Sequence, residues 1–386
     1  MRARELLHKI LKNAIHLKRE KVLSEVVETV IEAKEIAVTR VGRRMKNSNQ
    51  SRSNIRKVDR LYSNEGLVQE QEAISRQVIE FLIKQKQVSL VIDGSKLLNS
   101  EYYILRASYA CGGRALAVYE IIYERCEQGS QKLYKRFLNG LKRILPAGIE
   151  VTLITDAEFR GPWFKLVKQK GWNFIGRIRS NRYCYIGDKA GEWVSDIFKQ
   201  ASCIARCLGR GLLNQKEQVA GYFYLQKQKP KGRHAYTRSG RHSETIKSLR
   251  YAKGSHEPWL IFSSKHGEAR DMMKRYSLRM TIEENFRDMK SPRYGLGLDM
   301  TYSKSKLRYQ VMLIVAMLAS LIAYLMGCVG EHLNLHRHYQ ANSLRTQRVL
   351  SRFFLGCEML YHGATVLMQH IDLVITYLSK ENTLEI

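Results

Sequence analysis

Five compact apolar runs and two amphipathic stretches alternate between Gln87 and Arg179, and their order restricts the fold more than any other feature. QVSLVID, YYILRASYA and RALAVYEIIYE are rich in β-branched and aromatic residues, and the CGG at 111–113 separates the last two. Such runs bounded by turn residues read as antiparallel strands. SQKLYKRFLNGLKRIL carries apolar residues at helical spacing and is stopped by Pro146 and Gly148. EVTLIT reads as a strand, GPWFKLVKQKG as a short helix and WNFIGRIR as a fifth strand. The predicted order is β-β-β-α-β-α-β, an α/β core with a mixed sheet flanked by helices.

The rest of the chain divides around this core. Residues 1–85 are predicted to be a helical N-terminal region, and 86–179 the first part of the core. Residues 180–265 are predicted to be a β-rich basic insertion, with strand patterns VAGYFYLQ and EPWLIFSS. Between those patterns Lys227 to Lys253 holds nine Lys and Arg against one acid, Glu244. A long helix, roughly Ala269 to Lys290, completes the core within 266–310, and 311–386 is helical again. The run Val311 to Gly327, VMLIVAMLASLIAYLMG, sits at the short edge of a membrane span. Its charged flanks and short length favour a helix buried in a large core, with no membrane partner.

Charge narrows the partner. The chain has 65 Lys and Arg against 36 Asp and Glu, a formal net charge of +29. An excess of this size calls for a polyanion, with nucleic acid ahead of an anionic membrane. Arg40, Arg43, Arg44, Lys46, Arg52, Arg56, Lys57 and Arg60 fall in one segment whose only acid after Glu35 is Asp59. IAVTRVGRRM, the turn NSNQSRSN and the helix after it suggest a helix-turn-helix. Seven cysteines without a C-x-x-C pair exclude a disulfide-stapled fold and fit reduced thiols in the cytoplasm. His332, His336 and His338 in EHLNLHRH read as solvated basic residues.

The chemistry rests on acids. Asp93 closes the first apolar strand and Asp156 follows the fourth, where open α/β sheets present groups to ligands. On the late helix Tyr276, Arg279, Glu283 and Lys290 are spaced to project within a sector of roughly 60°. Leu278, Ile282, Phe286 and Met289 form a separate apolar stripe. Three carboxylates, Asp93, Asp156 and Glu283, converging at one sheet end would hold hard divalent cations such as Mg²⁺. Two such ions suit in-line phosphoryl displacement, with Arg279 and Lys290 on phosphates and Tyr276 as a donor.

The joint pattern of LVIDGSK, LITDAEF, Y-x2-R-x3-E-x6-K from Tyr276 to Lys290 and MKSPRYGLGL resembles the DDE transposases of bacterial insertion sequences. It resembles specifically their subgroup with the YREK signature. The resemblance covers nearly the whole chain. It implies a ribonuclease-H-like core interrupted by a mostly β insertion. It further implies cut-and-paste transposition with two Mg²⁺ ions, for which Mn²⁺ substitutes, held by Asp93, Asp156 and Glu283. A hairpin would form at the element end, and the 3′ ends would join target DNA. Tyr276, Arg279 and Lys290 would contact end phosphates, and Trp259 would stack on a flipped base. Arg40, Arg43, Arg44, Arg56, Lys57 and Arg60 would serve end recognition. The partners implied are double-stranded DNA, as element ends and target, and a second copy of the chain in a synaptic homodimer. The implied location is the bacterial cytoplasm, at the nucleoid. The residues alone leave two rivals: a ribonuclease-H-like nuclease or resolvase without strand transfer, and a non-catalytic DNA-binding repressor.

Overall fold

The computed structural model describes residues 2–12, 14–111, 113–188, 190–214, 218–228, 245–246, 249, 257–341 and 348–383. The chain forms two compact units. The first holds residues 1–150 and 280–385, the second 151–279.

The first unit begins with six helices: α1 Ala3–Leu11, α2 Leu17–Ala33, α3 Val38–Arg44, α4 Ser51–Tyr62, α5 Glu65–Gln69 and α6 Gln71–Leu82. Helices α3 and α4 pack on each other so closely that a Cβ on Gly42 would sit 2.6 Å from the Ile55 Cα. Glycine is what permits that crossing. The Tyr62 hydroxyl donates to the Ile36 carbonyl at 2.9 Å and ties α4 to the entry of α3. Strands β1 Gln87–Lys96, β2 Tyr102–Cys111 and β3 Arg114–Glu124 form an antiparallel meander, followed by α7 Gln131–Ile144. In its register Asp93 stands opposite Arg106, and Arg106 opposite Glu120.

Among the described residues the second unit holds seven strands in the order β4-β5-β10-β9-β8-β6-β7. Its members are β4 Glu150–Thr155, β5 Asn173–Ile178, β6 Tyr183–Ile186, β7 Glu192–Trp193, β8 Arg206–Leu213, β9 Val219–Gln226 and β10 Trp259–Ser263. Strands β4 and β5 run parallel, joined through helix α8 Gly161–Gln169, and the other pairs are antiparallel. A short helix, α9 Val194–Ile197, follows β7, and α10 Ala269–Ser277 follows β10. The core is aromatic: Phe164, Phe174, Phe223 and Phe262 stack in a chain with ring centroids 4.6–5.1 Å apart. Most of Lys227–Lys253, the basic stretch of the insertion, lies outside the described residues.

The chain then returns to the first unit through α11 Thr281–Lys290, α12 Lys306–His332, α13 His336–Tyr339, α14 Arg352–Tyr361 and α15 Met368–Thr383. Helix α12 contains the apolar run, and it is the one helix among the described residues long and apolar enough to cross a membrane. Every residue from Val311 to Gly330 is buried, against α2, β3, α14 and α15. A Cβ on Gly327 would lie 1.7 Å from the Arg352 carbonyl oxygen, and one on Gly356 1.7 Å from that of Ala323. The α12–α14 crossing is therefore backbone against backbone. At the far end of the chain, Asn382 accepts from the Ser89 amide at 2.8 Å. Its amide donates to the Ser89 and Ala110 carbonyls at 2.9 and 2.8 Å, so α15 is stitched to β1 and β2.

Three expectations need correction. The strand carrying Asp93 does not end there: β1 continues to Lys96, and Asp93 lies inside the paired ladder. The helix expected over Ala269–Lys290 is two helices separated by a 3₁₀ turn at Leu278–Met280. The regular 100° spacing behind the single 60° sector therefore does not run unbroken from Tyr276 to Lys290. His336 is buried, whereas His332 and His338 are exposed as expected.

Candidate active site

In the first unit the acids are organised by one face of the meander. Residues opposite each other in an antiparallel pair share a face, and alternate residues along a strand share it too. Asp93 and Ser95 of β1, Arg106 of β2 and Glu120 of β3 therefore project together. Helix α11 lies on that face. Arg106 Nη1 donates to Asn285 Oδ1 at 2.6 Å, and Nη2 to the Met289 sulfur at 2.8 Å. Arg106 Nε pairs with Glu120, and its guanidinium stacks 4.4 Å from the Phe286 ring centroid. Arg106 and Glu120 are both almost wholly buried. Burial pushes the Glu120 carboxyl up, opposed by Arg106. A buried charge pair persists only where further hydrogen bonds satisfy it, and Asn285 and Met289 supply them.

Both ends of α11 are also fastened. Arg114, at the start of β3, bonds Asp288 at 2.9 Å and lies 3.7 Å from Glu284. Lys290 Nζ donates to Ser95 Oγ at 2.7 Å and to the Lys96 carbonyl. Glu283, in the first turn of α11, is exposed, and a carboxylate there complements the helix dipole. Asp93 is 9% exposed, and its Oδ1 accepts from the Gly94 amide at 2.8 Å. Burial lowers the Lys290 ammonium to about 8, with nearby Asp299 working the other way.

In the second unit Asp156 directly follows β4. Its Oδ1 accepts from the Glu158 amide at 2.9 Å, an Asx-type turn that holds the carboxylate at the strand's end. Its Oδ2 lies 4.0 Å from Arg279 Nη2. Tyr276 is buried rather than displayed, and its ring meets Trp259 edge-on with centroids 4.9 Å apart. Burial pushes the Tyr276 hydroxyl up to about 12, so it remains a donor at neutral pH. Trp259 is half-buried at the start of β10, opposite Gln226. Two residues not anticipated from sequence join this group, Arg177 and Arg179 at the end of β5. Both approach Glu257, at 3.8 and 3.9 Å, and both act electrostatically on Tyr276. Burial pulls the Arg177 guanidinium down. The sequence signal was present: GRIR places two arginines two apart, on one face of a strand.

The basic N-terminal residues fall into two groups. Arg40 pairs with Glu35 and Lys57 with Glu25, each at 2.9 Å, so part of their charge is already met. Arg43, Arg44, Arg56 and Arg60 are exposed and make no ion pair among the described residues. Arg52, Arg56 and Arg60 form a stripe at intervals of four along α4. Arg60 and Lys57 also line a surface groove with Lys18, Arg19 and Ser53.

Oxygen donors of this kind suit a hard divalent cation, and Asp93, Asp156 and Glu283 have that chemistry. Among the described residues no group of three or more His, Cys, Asp and Glu is gathered as a metal cluster. Asp93 and Glu283 belong to the first unit and Asp156 to the second. The family model described as the transposase DDE domain matches residues 98–322, more than half of the chain. The chain belongs to the transposase DDE-domain family. The matched span of this transposase includes Asp156, Trp259, Tyr276, Arg279, Glu283 and Lys290, and begins just after Asp93. No curated protein matches the chain. The strands and their covering helices, with helical regions at both ends, fit the ribonuclease-H-like α/β fold.

Proposed function

We propose that this transposase binds the terminal inverted repeats of its own element. It frees the element by divalent-metal-dependent phosphoryl transfer through an end hairpin, and joins the 3′ ends to target DNA. Asp93, Asp156 and Glu283 would hold the metal, which when bound polarises the scissile phosphate and activates the attacking oxygen. Arg279 and Lys290 would hold phosphates of the element end, Tyr276 would donate a hydrogen bond, and Trp259 would receive an unstacked base. The exposed cations of α3 and α4, Arg43, Arg44, Arg56 and Arg60, with Arg40 and Lys57 beside them, would grip the end sequence. Two copies would act on paired ends. The domains proposed for these roles are 1–85 for end binding, 86–179 with 266–310 for the core, 180–265 for the insertion and 311–386 for contacts between copies.

One observation carries the reading: the helix bearing Glu283 is fastened to the face of the meander from which Asp93 projects. Carboxylates on that strand and that helix would supply oxygen donors for the divalent cations that phosphoryl transfer uses. The test mixes the protein, a duplex carrying the element's inverted repeat, a target plasmid and Mg²⁺. End cleavage and joining are expected. Asp93→Asn, Asp156→Asn and Glu283→Gln should each abolish cleavage and keep end binding. Full cleavage by all three variants would refute the assignment. Cleavage without joining would indicate a nuclease, and salt-sensitive binding without product a repressor.

A further inference from the structure

We infer that Arg106 is a positioning residue for the transposase reaction, acting through the α11 backbone to hold Glu283 in place over the Asp93 strand. This deepens the function proposed above and rests on it.

Arg106 has an unusual set of partners. It is 2% exposed, in the middle of the central strand of the meander. An arginine there is costly to bury, and its ion-pair partner Glu120 comes from the same sheet. A strand-to-strand pair alone would use one edge of the guanidinium. The rest is spent on α11: one nitrogen on Asn285, another on Met289, and its flat face on Phe286. Those three residues follow Glu283 by two, six and three positions, and span the remaining length of the helix. Arg106 also stands directly opposite Asp93. A rigid fork that joins the neighbour of one acid to the helix of another fixes their separation. Lysine would keep the charge and lose the fork. Arg114 and Lys290 fasten the same helix at Glu284, Asp288 and its C-terminal end, and the Arg106–Asn285 bond adds a fixture two residues from Glu283.

The test uses the full chain and two variants. Asn285→Ala removes one bond and leaves the Arg106–Glu120 pair intact. Arg106→Lys keeps charge on Glu120 without the fork. Hydrogen exchange should show faster exchange of residues 281–290 in both, with β1–β3 unchanged. In end cleavage, the half-saturating Mg²⁺ concentration should rise about tenfold or more, as when a ligand's supporting partner is lost. End affinity should stay within twofold of wild type. A purely structural role predicts uniform loss of protection and an unchanged Mg²⁺ requirement per folded molecule, and either result overturns the inference. If the wild-type protein gives no cleavage, the transposase reaction itself fails. The exchange pattern still decides whether Arg106 holds the helix: selective loosening of 281–290 supports it, and no loosening refutes it.

Discussion

Lys290 offers a sharp thermodynamic test of how the candidate site is built. Its ammonium is mostly buried under α11, bonded to Ser95 Oγ at 2.7 Å and to the Lys96 carbonyl, and its pKa falls from 10.5 to about 8. Between those values the unfolded chain binds a proton that the folded chain does not, so stability rises with pH. The burden of the buried charge is fully present below pH 8 and is relieved as pH climbs toward 10.5. At 1.36 kcal/mol per pKa unit, linkage from pH 7 to pH 9 gives about 1.3 kcal/mol of added stability. For a unit of this size that corresponds to a rise in Tm of about 3–5 °C. The upper limit of pH 9 keeps the protein below its pI of 9.9, near which net charge vanishes and proteins precipitate. Other groups titrate as well, so the measurement is a difference. Tm is recorded by scanning fluorimetry at pH 7, 8 and 9 for wild type and for Lys290→Met, which keeps an apolar stem of similar length. The gap between them should move by this amount in favour of wild type as pH rises. Parallel profiles would refute the claim that Lys290 carries a charge against its burial. A DNA phosphate at Lys290 would restore the proton, so end affinity of wild type should fall from pH 7.5 to 9 more steeply than that of the variant.

Other outcomes follow from the geometry. Gly327→Val should destabilise the protein by more than about 3 kcal/mol in thermal denaturation, because the backbone 1.7 Å from the new Cβ cannot give way like a side chain. Replacing Arg52, Arg56 and Arg60 together with Ala should lower the slope of log affinity for end DNA against log salt by about 2–3. An unchanged slope would move end recognition away from α4. Tyr276 holds its proton to about pH 12, so the cleavage profile of Tyr276→Phe should keep the wild-type shape between pH 7 and 10 at a lower rate. Loss of an alkaline limb in that variant would mean that the hydroxyl titrates.

The core was readable because its signals are local. Alternating β-branched and aromatic residues between turn residues marked β1 to β5, and each strand and helix of that stretch appears in order. The buried fate of the 311–327 run also followed from its length and flanks. What escaped depends on tertiary pairing. Asp93 looked terminal because GSK after it is polar, yet backbone pairing with β2 carries β1 on to Lys96. Leu278-Arg279-Met280 contains neither Gly nor Pro, so no local signal announced the break between α10 and α11. Tyr276, on the helix before that break, packs on Trp259. Arg106 read as an unremarked polar position in YYILRASYA, since only the packed helix reveals what it binds. Arg177 and Arg179 were visible as a pair, but their relation to Tyr276 was not.

The stitch from Asn382 to β1 and β2 bears on the order in which the molecule is made. The side chain that satisfies the Ser89 and Ala110 backbone groups is synthesised 293 and 272 residues after them. The faces of α2 and β3 that cover α12 likewise wait for a helix that begins only at Lys306. Until then apolar surface is exposed, the condition that makes unfinished chains sticky and dependent on chaperones. A product truncated before residue 382 lacks the bonds that Asn382 makes to β1 and β2. Closure of β1 and β2 thereby waits on a helix made some 270 residues after them.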